Sequence, residues 1–312
     1  MLVFVNTTLR PRHRAWLEEA AAGRCRLVYG EEHDTPPAEA EVIIGTLQPR
    51  DVASVQKLQW LQLAWAGADH IIPHLPENVV LTNSSGAYGV MIAEHMMAML
   101  LALVRQLRHY DDLQKQHLWK QLWRETTLEG KTVLILGTGD IGQSLAKRLQ
   151  GFDCHVIGLR RNPKETKYFH EVYGMDQLDE LLPKADVVAC ALPGTKETVG
   201  LLHRQRLLSM KPDALLLNCG RGTLIPGTDL VSVLQEGHLG GCGLDVTDPE
   251  PLPAESPLWD MEHVIITPHI SGASFDHLDE TEDKIYAIAA ENLSRWLDSK
   301  PLLHVVDKGN GY

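Results

Sequence analysis

Lys131-Thr132-Val133-Leu134-Ile135-Leu136-Gly137-Thr138-Gly139-Asp140-Ile141-Gly142 is the stretch on which the reading turns. It opens as a short apolar run, the composition of a parallel strand buried on both faces. It breaks at Gly137-x-Gly139-x-x-Gly142 and continues as Gln143-Ser144-Leu145-Ala146-Lys147-Arg148-Leu149, where Ile141, Leu145, Ala146 and Leu149 recur at helical spacing. A tight glycine turn between a buried strand and an amphipathic helix is the form of a dinucleotide-binding site. Gly137 permits the turn, Gly139 lets a pyrophosphate approach the backbone, and Gly142 lets the helix lie close to the strand, with the phosphates on the free N–H groups at the helix N-terminus. The glycine spacing alone is a weak signal; the strand before it and the helix behind it carry the reading.

The rest of the chain is long enough to hold more than this one unit. Its 312 residues suffice for two domains, and 44% hydrophobic with 22% charged residues is ordinary for a globular protein. A net charge of −12 argues against a nucleic-acid partner. The longest nearly uncharged apolar run, residues 96–104, is too short to cross a bilayer, so no membrane partner is expected. The N-terminus lacks a basic segment and a small-residue cleavage site and reads as a first strand, not a signal peptide. The five cysteines include no C-x-x-C pair, which suits small core residues in a reducing compartment. No His, Cys and carboxylate cluster has metal-ligand spacing, so no metal is expected.

Residues 2–5, 26–29, 41–44, 60–64 and 79–82 read as strands and 12–22 as a helix, a small α/β domain without a glycine fingerprint. Asp34-Thr35-Pro36-Pro37 reads as a loop. After the fourth strand comes Ala64-Trp65-Ala66-Gly67-Ala68-Asp69-His70, which is either a plain turn or a loop whose backbone N–H groups take a carboxylate. Residues 92–108 predict one long, largely buried helix; its methionines suit core packing better than a promiscuous groove. His117, Trp119 and Trp123 follow on a partly exposed arm, a candidate dimer contact.

Beyond the fingerprint, strands are expected over 154–159, 185–193, 213–219, 240–246 and 263–267, with helices such as 229–236 between several of them. That rhythm gives a doubly wound parallel sheet. A final helix is expected over 280–297 and a last strand over 302–306. At the end of the second strand, about 20 residues after the glycine turn, where an NAD site carries an acid on the ribose, stands Arg160-Arg161. Guanidinium groups bind a 2′-phosphate that an acid would repel, so the expected cofactor is NADP(H), with NAD(H) possible; the other reading is a solvated pair.

Each late strand ends in a group with chemical capacity: Arg221 in Asn218-Cys219-Gly220-Arg221-Gly222, Asp245, and His269 after Pro268. Ligands of open α/β sheets bind at the carboxyl ends of strands, so these should share a crevice with the cofactor. Reduction of a 2-keto acid needs a hydride, a proton and a carboxylate clamp. His269 is the natural proton donor, Glu250 the carboxylate that favours its charged form, and Arg221 the group that holds the substrate and polarises its carbonyl. Taken singly, each has a bland rival: a surface ion pair, a satisfied loop histidine, a solvated loop acid.

Together these segments resemble the D-isomer-specific 2-hydroxyacid dehydrogenases over nearly the whole length. The most specific parts are the fingerprint with its Arg pair, Leu192-Pro193-Gly194-Thr195-Lys196-Glu197-Thr198-Val199-Gly200, Asn218-x-x-Arg221-Gly222, Leu244-Asp245-Val246 with Glu250-Pro251-Leu252, and Thr267-Pro268-His269-Ile270-Ser271-Gly272. The resemblance implies Arg221 as substrate binder, Glu250 as the support of His269, and His269 as acid/base. It also implies Asp245 on the nicotinamide carboxamide, and Trp65, Ala66 and Gly67 at the substrate carboxylate with Arg221 and His269. Expected cofactor contacts are Gly137, Gly139, Asp140, Ile141, Gly142, Arg160, Arg161, Leu192, Pro193, Thr198, Cys219, Gly220 and Asp245. A cytoplasmic homodimer is implied, with a flavodoxin-like substrate domain (1–95 and 282–312) into which a Rossmann domain (96–281) is inserted.

Within that family the Arg pair, the absence of a regulatory extension and Gly311-Tyr312 are most similar to the glyoxylate/hydroxypyruvate reductases. Trp65 departs from the small residue many members carry and puts the substrate's size in question. Two alternatives remain: an NAD-linked enzyme for a bulkier or phosphorylated 2-hydroxy acid, and a non-catalytic protein that senses the dinucleotide.

Overall fold

The computed structural model describes residues 1–30, 35–273, 275 and 278–311; the expectations for Asp34 and Tyr312 lie outside the described residues. The chain forms two compact units, Met1–Tyr88 with Ala273–Tyr312, and Gly89–Gly272. These units divide at 88/89 and 272/273, beside the expected 95/96 and 281/282, and the helix after Tyr88 packs within the second unit.

The first unit is built on β1 (Leu2–Asn6), α1 (Pro11–Ala21), β2 (Arg26–Tyr29), β3 (Val42–Gly45), β4 (Trp60–Leu63) and β5 (Val80–Thr82). The strands form one five-stranded parallel sheet in the order β2-β1-β3-β4-β5, the flavodoxin-like order. The central strands β3 and β4 are buried at every position, and all but Gln62 of their side chains are apolar or absent.

The second unit begins with α2 (Gly89–Val104) and α3 (Leu107–Lys115) and continues through β6 (Thr132–Leu136), α4 (Asp140–Leu149), β7 (His155–Arg160), β8 (Glu171–Gly174), α5 (Leu178–Leu181), β9 (Val187–Cys190), α6 (Arg204–Ser209), β10 (Leu215–Asn218), α7 (Gly227–Gln235), β11 (Gly241–Leu244) and β12 (Val264–Ile266). Its seven strands are all parallel, in the order β12-β11-β10-β9-β6-β7-β8. The order reverses between β6 and β9, the switch point at which such sheets open a crevice.

Two expectations are corrected. Residues 92–108 are not one helix: α2 ends at Val104, Gln106 turns in the left-handed region (φ 57°), and α3 leaves at 67°. The all-round apolar surface that buries α2 stops at Val104, and exposed Arg105 follows, so nothing holds the helix on its course. The methionines of α2 are core: Met96, Met97 and Met99 are buried, and the helix packs on α4, β10 and β11. Residues 302–306 form no strand, only a bridge from Val305 to Thr82, because His304 takes a positive φ that breaks the extended run. An unexpected edge strand, β8, is the short Glu171-Val172-Tyr173-Gly174, with only Gly174 buried, so it shows no buried apolar run.

The chain returns to the first unit as α8 (Asp279–Leu297), which packs against α1. Their ends are tied by charge: Arg10 to Asp279 and to the buried Glu282, and Arg12 to Asp279 and Asp283. Buried His13 also reaches Asp283, at 2.8 Å, and stacks on Tyr286.

Candidate active site

The phosphate cradle lies between β6 and α4. Gly137 turns at φ +101°, a conformation other residues adopt at a steric cost, and a Cβ there would stand 2.7 Å from the Ala191 carbonyl oxygen. At Gly142 a Cβ would stand 1.9 Å from the Gly137 carbonyl oxygen, so only glycine lets α4 start this close to the strand. A Cβ on Gly139 would meet nothing within 4 Å. No side chain caps α4, so the N–H groups of its first turn face that open space. Thr138 Oγ1 is buried with no partner among the described residues. An uncapped helix N-terminus, open room over Gly139 and an orphaned hydroxyl fit a dinucleotide pyrophosphate.

Two expected cofactor contacts are otherwise engaged. The Asp140 carboxylate accepts the Gly89 N–H at 2.6 Å and so caps α2, leaving its own backbone N–H in the α4 cradle; Ile141 beside it is half-buried on the first turn. The Thr198 hydroxyl donates to the Pro193 carbonyl at 2.7 Å and accepts the Thr195 N–H, closing the loop after β9 on itself. That loop brings Leu192 against Gly220, where a Cβ would stand 2.6 Å from the Leu192 carbonyl oxygen. Leu192 and Pro193 stay half-buried, and Cys219 is buried with its thiol pushed well up by burial and then by nearby Asp245, so it is no nucleophile. At the end of β7, Arg161 pairs with Glu197 at 2.6 Å, whereas Arg160 has no side-chain partner among the described residues.

The ends of β10, β11 and β12 carry the reactive groups on the same sheet edge. Asn218 shapes the first turn by accepting the Gly220 N–H and donating to the Arg221 carbonyl at 3.0 Å, which sets the half-buried Arg221. His269 stands in the loop after β12, its Nδ1 2.5 Å from Glu250 Oε1. A carboxylate only accepts, so Nδ1 carries the proton and Nε2 is left to exchange one. Both side chains are substantially exposed, 47% and 40%. Asp245 is buried at the end of β11 and receives Thr267 Oγ1 and the Ile270 N–H on Oδ1, the Ser271 N–H on Oδ2, and the Ser271 hydroxyl. Burial pushes this carboxyl up, but the bonds from Ser271, Thr267 and the two amides outweigh it and hold it below its ordinary value. The loop that carries His269 thus engages both oxygens of this carboxylate.

This arrangement is matched by a family model. Residues 97–271 fit the NAD-binding domain of the D-isomer-specific 2-hydroxyacid dehydrogenases. The chain belongs to that family. Its homologues are NAD(P)-dependent oxidoreductases, and the chain is an enzyme of that kind. It is 31% identical to a glyoxylate reductase of Thermofilum pendens over 86% of this chain and 84% of the relative. It is also 31% identical to a D-3-phosphoglycerate dehydrogenase of Mycobacterium leprae over 78% of this chain but only 47% of the relative, about half its length. A crystal structure of an NADPH-dependent glyoxylate/hydroxypyruvate reductase from Sinorhizobium meliloti, in complex with NADP and sulfate, superposes with a TM-score of 0.83 at 28% identity, covering 100% and 99% of the two chains.

In the first unit of this dehydrogenase the loop after β4 is held by three groups that the sequence did not single out. Ser84 N–H donates to the Trp65 carbonyl at 3.0 Å, Asn83 Nδ2 to Ala66 at 2.7 Å, and Tyr88 OH to Ala64 at 2.7 Å. With those carbonyls bound, the loop's backbone is fixed, Gly67 included. Trp65 packs edge-on to Phe275, ring centroids 4.8 Å apart. Among the described residues, no single helix is long and apolar enough to cross a membrane.

Proposed function

We propose that this dehydrogenase reduces a small 2-keto acid of the glyoxylate or hydroxypyruvate class to the D-2-hydroxy acid, with NADPH preferred over NADH. The observation that carries the reading is the 2.5 Å His269–Glu250 pair on the sheet edge that also holds Arg221 and the cradle. When bound, the dinucleotide supplies the hydride to the carbonyl carbon. His269 Nε2 gives its proton to the carbonyl oxygen, and in the oxidative direction takes it back. Glu250 accepts the Nδ1–H of His269 and so fixes the tautomer and the ring. Arg221, always charged, holds the substrate and balances the negative charge that builds on the carbonyl oxygen. In the first unit, the backbone N–H groups of Ala66 and Gly67 are donors suited to a carboxylate. Trp65, braced by Phe275, limits the side chain that fits beside it.

The cradle residues Gly137, Gly139, Ile141 and Gly142 would hold the pyrophosphate, with Leu192, Pro193 and Gly220 walling the nicotinamide side. Arg160 supports NADP(H), since it has no side-chain partner among the described residues and can bind a 2′-phosphate without breaking an ion pair. The Arg161–Glu197 pair supports the second reading, an NAD-linked enzyme for a bulkier substrate, because that guanidinium is already engaged.

The test is the initial rate of nicotinamide absorbance loss with NADPH and NADH, using glyoxylate, hydroxypyruvate and an arylpyruvate, for the wild type and His269→Asn. The expected result is at least a tenfold preference for NADPH with a small acceptor, equivalent to about 1.4 kcal/mol, and a loss of about 10²–10⁴-fold in His269→Asn. Equal rates with NADH, or turnover of the arylpyruvate alone, favour the second reading. Full activity in His269→Asn overturns the mechanism.

A further inference from the structure

His95 lies on the first half of α2, with Met99 and Leu103 one and two turns further along the same face. Those two side chains rest on β11. A Cβ on Gly243 would stand 3.1 Å from that of Met99, and one on Gly241 would stand 3.0 Å from Leu103 Cδ2. A strand without side chains at these positions lets the helix approach closely. His95 is thereby carried to the end of the next strand, where its Nε2 lies 2.9 Å from Thr267 Oγ1. The Thr267 hydroxyl donates its single proton to Asp245 Oδ1 at 2.6 Å, so its bond with His95 is one in which Nε2–H donates. The Asp245 carboxylate then gathers the Ile270 and Ser271 N–H groups, and its carbonyl accepts the N–H of His269. His269 is held at φ 54°, in the left-handed region, a conformation a histidine keeps only where its surroundings enforce it.

We propose that His95 is a positioning residue for the reaction: its Nε2–H fixes the Thr267 hydroxyl, which fixes the Asp245 carboxylate, which holds the strained loop that presents His269. This rests on the reading of His269 as the acid/base group. The relay explains a polar residue on the face of α2 that carries Met99 and Leu103 onto β11.

The experiment is steady-state kinetics on the full-length enzyme carrying His95→Leu, His95→Gln, Thr267→Val and the double substitution His95→Leu/Thr267→Val, with thermal melts of each. The expected result is a fall of at least tenfold in kcat for His95→Leu, with the KM for NADPH within threefold of wild type, because the cradle lies on β6. His95→Gln, whose amide N–H can stand where Nε2 does, is expected within threefold of wild type. The double variant is expected to be no slower than Thr267→Val, since both act through one chain of bonds. His95→Leu within threefold of wild type, His95→Gln as slow as His95→Leu, or multiplying losses in the double variant each overturn the relay. If His95→Leu does not fold, His95→Asn, whose amide is too short to reach Thr267, takes its place in the same comparisons. Full activity in His269→Asn overturns the acid/base reading instead, and is read without any His95 variant.

Discussion

Asp140 shows how one residue inside a recognisable motif can serve two elements. It is the first residue of α4, where its backbone N–H joins the phosphate cradle, while its carboxylate turns away to the first N–H of α2. The two jobs separate by substitution. Asp140→Ala is expected to lower stability by about 1 kcal/mol, the usual worth of a lost cap, as read by urea unfolding. The dissociation constant of NADPH, read by fluorescence titration, is expected to move less than threefold, because the cradle uses backbone. A tenfold loss of NADPH affinity in a fully folded Asp140→Ala would return the side chain to the cofactor. Thr198 and Asp245 follow the same pattern: both stand in motif positions, and both use their polar atoms on the loops around them.

The docking of α8 on α1 is an element-scale contact made by charge at its N-terminal end. The hydrogen bond from His13, then that from Arg12, holds the Asp283 carboxyl below its ordinary value. A carboxyl depressed in the folded state contributes stability that is fully present above its unfolded value, near pH 4, and is lost as the pH falls through the folded one. Thermal melts between pH 6 and pH 3 are therefore expected to show a falling Tm below about pH 4 in the wild type. Asp283→Asn is expected to start lower at neutral pH and to lose less on acidification. Parallel curves for the two proteins would mean that Asp283 contributes nothing to the acid sensitivity. The elements themselves were mostly legible, because buried parallel strands such as β6 and β9 advertise themselves as apolar runs. The edge strand β8 did not, since four residues of which one is buried make no apolar run. The end of α2 was misread because apolar periodicity reports which face is buried, not where tertiary support stops.

At the scale of the whole molecule, the stretch after α3 presents Leu118, fully exposed Trp119 and 80%-exposed Trp123 to solvent. Large exposed indoles on one segment are the composition of an interface core, and a second copy of the chain is the partner the family resemblance implies. Sedimentation is expected to give about twice the 34.7 kDa of one chain, and Trp119→Ser with Trp123→Ser to give a single chain. An unchanged mass in that variant would move the interface elsewhere.

From sequence alone, local physics was enough to read the α/β class, the doubly wound parallel sheet of the second unit and the glycine cradle, and to name Arg221, Glu250 and His269 as the groups to watch; the flavodoxin-like first unit came from the family resemblance. Hydrophobic runs and turn glycines act between near neighbours in the chain. What each polar side chain bonds to was decided only by the tertiary structure. Asp140 and Gly89 are 51 residues apart, Arg161 and Glu197 are 36 apart, and His95 and Thr267 are 172 apart. A hydrogen bond requires its partners within about 3 Å, and only the packing of α2 on the glycines of β11 brings His95 within reach of the loop that carries His269.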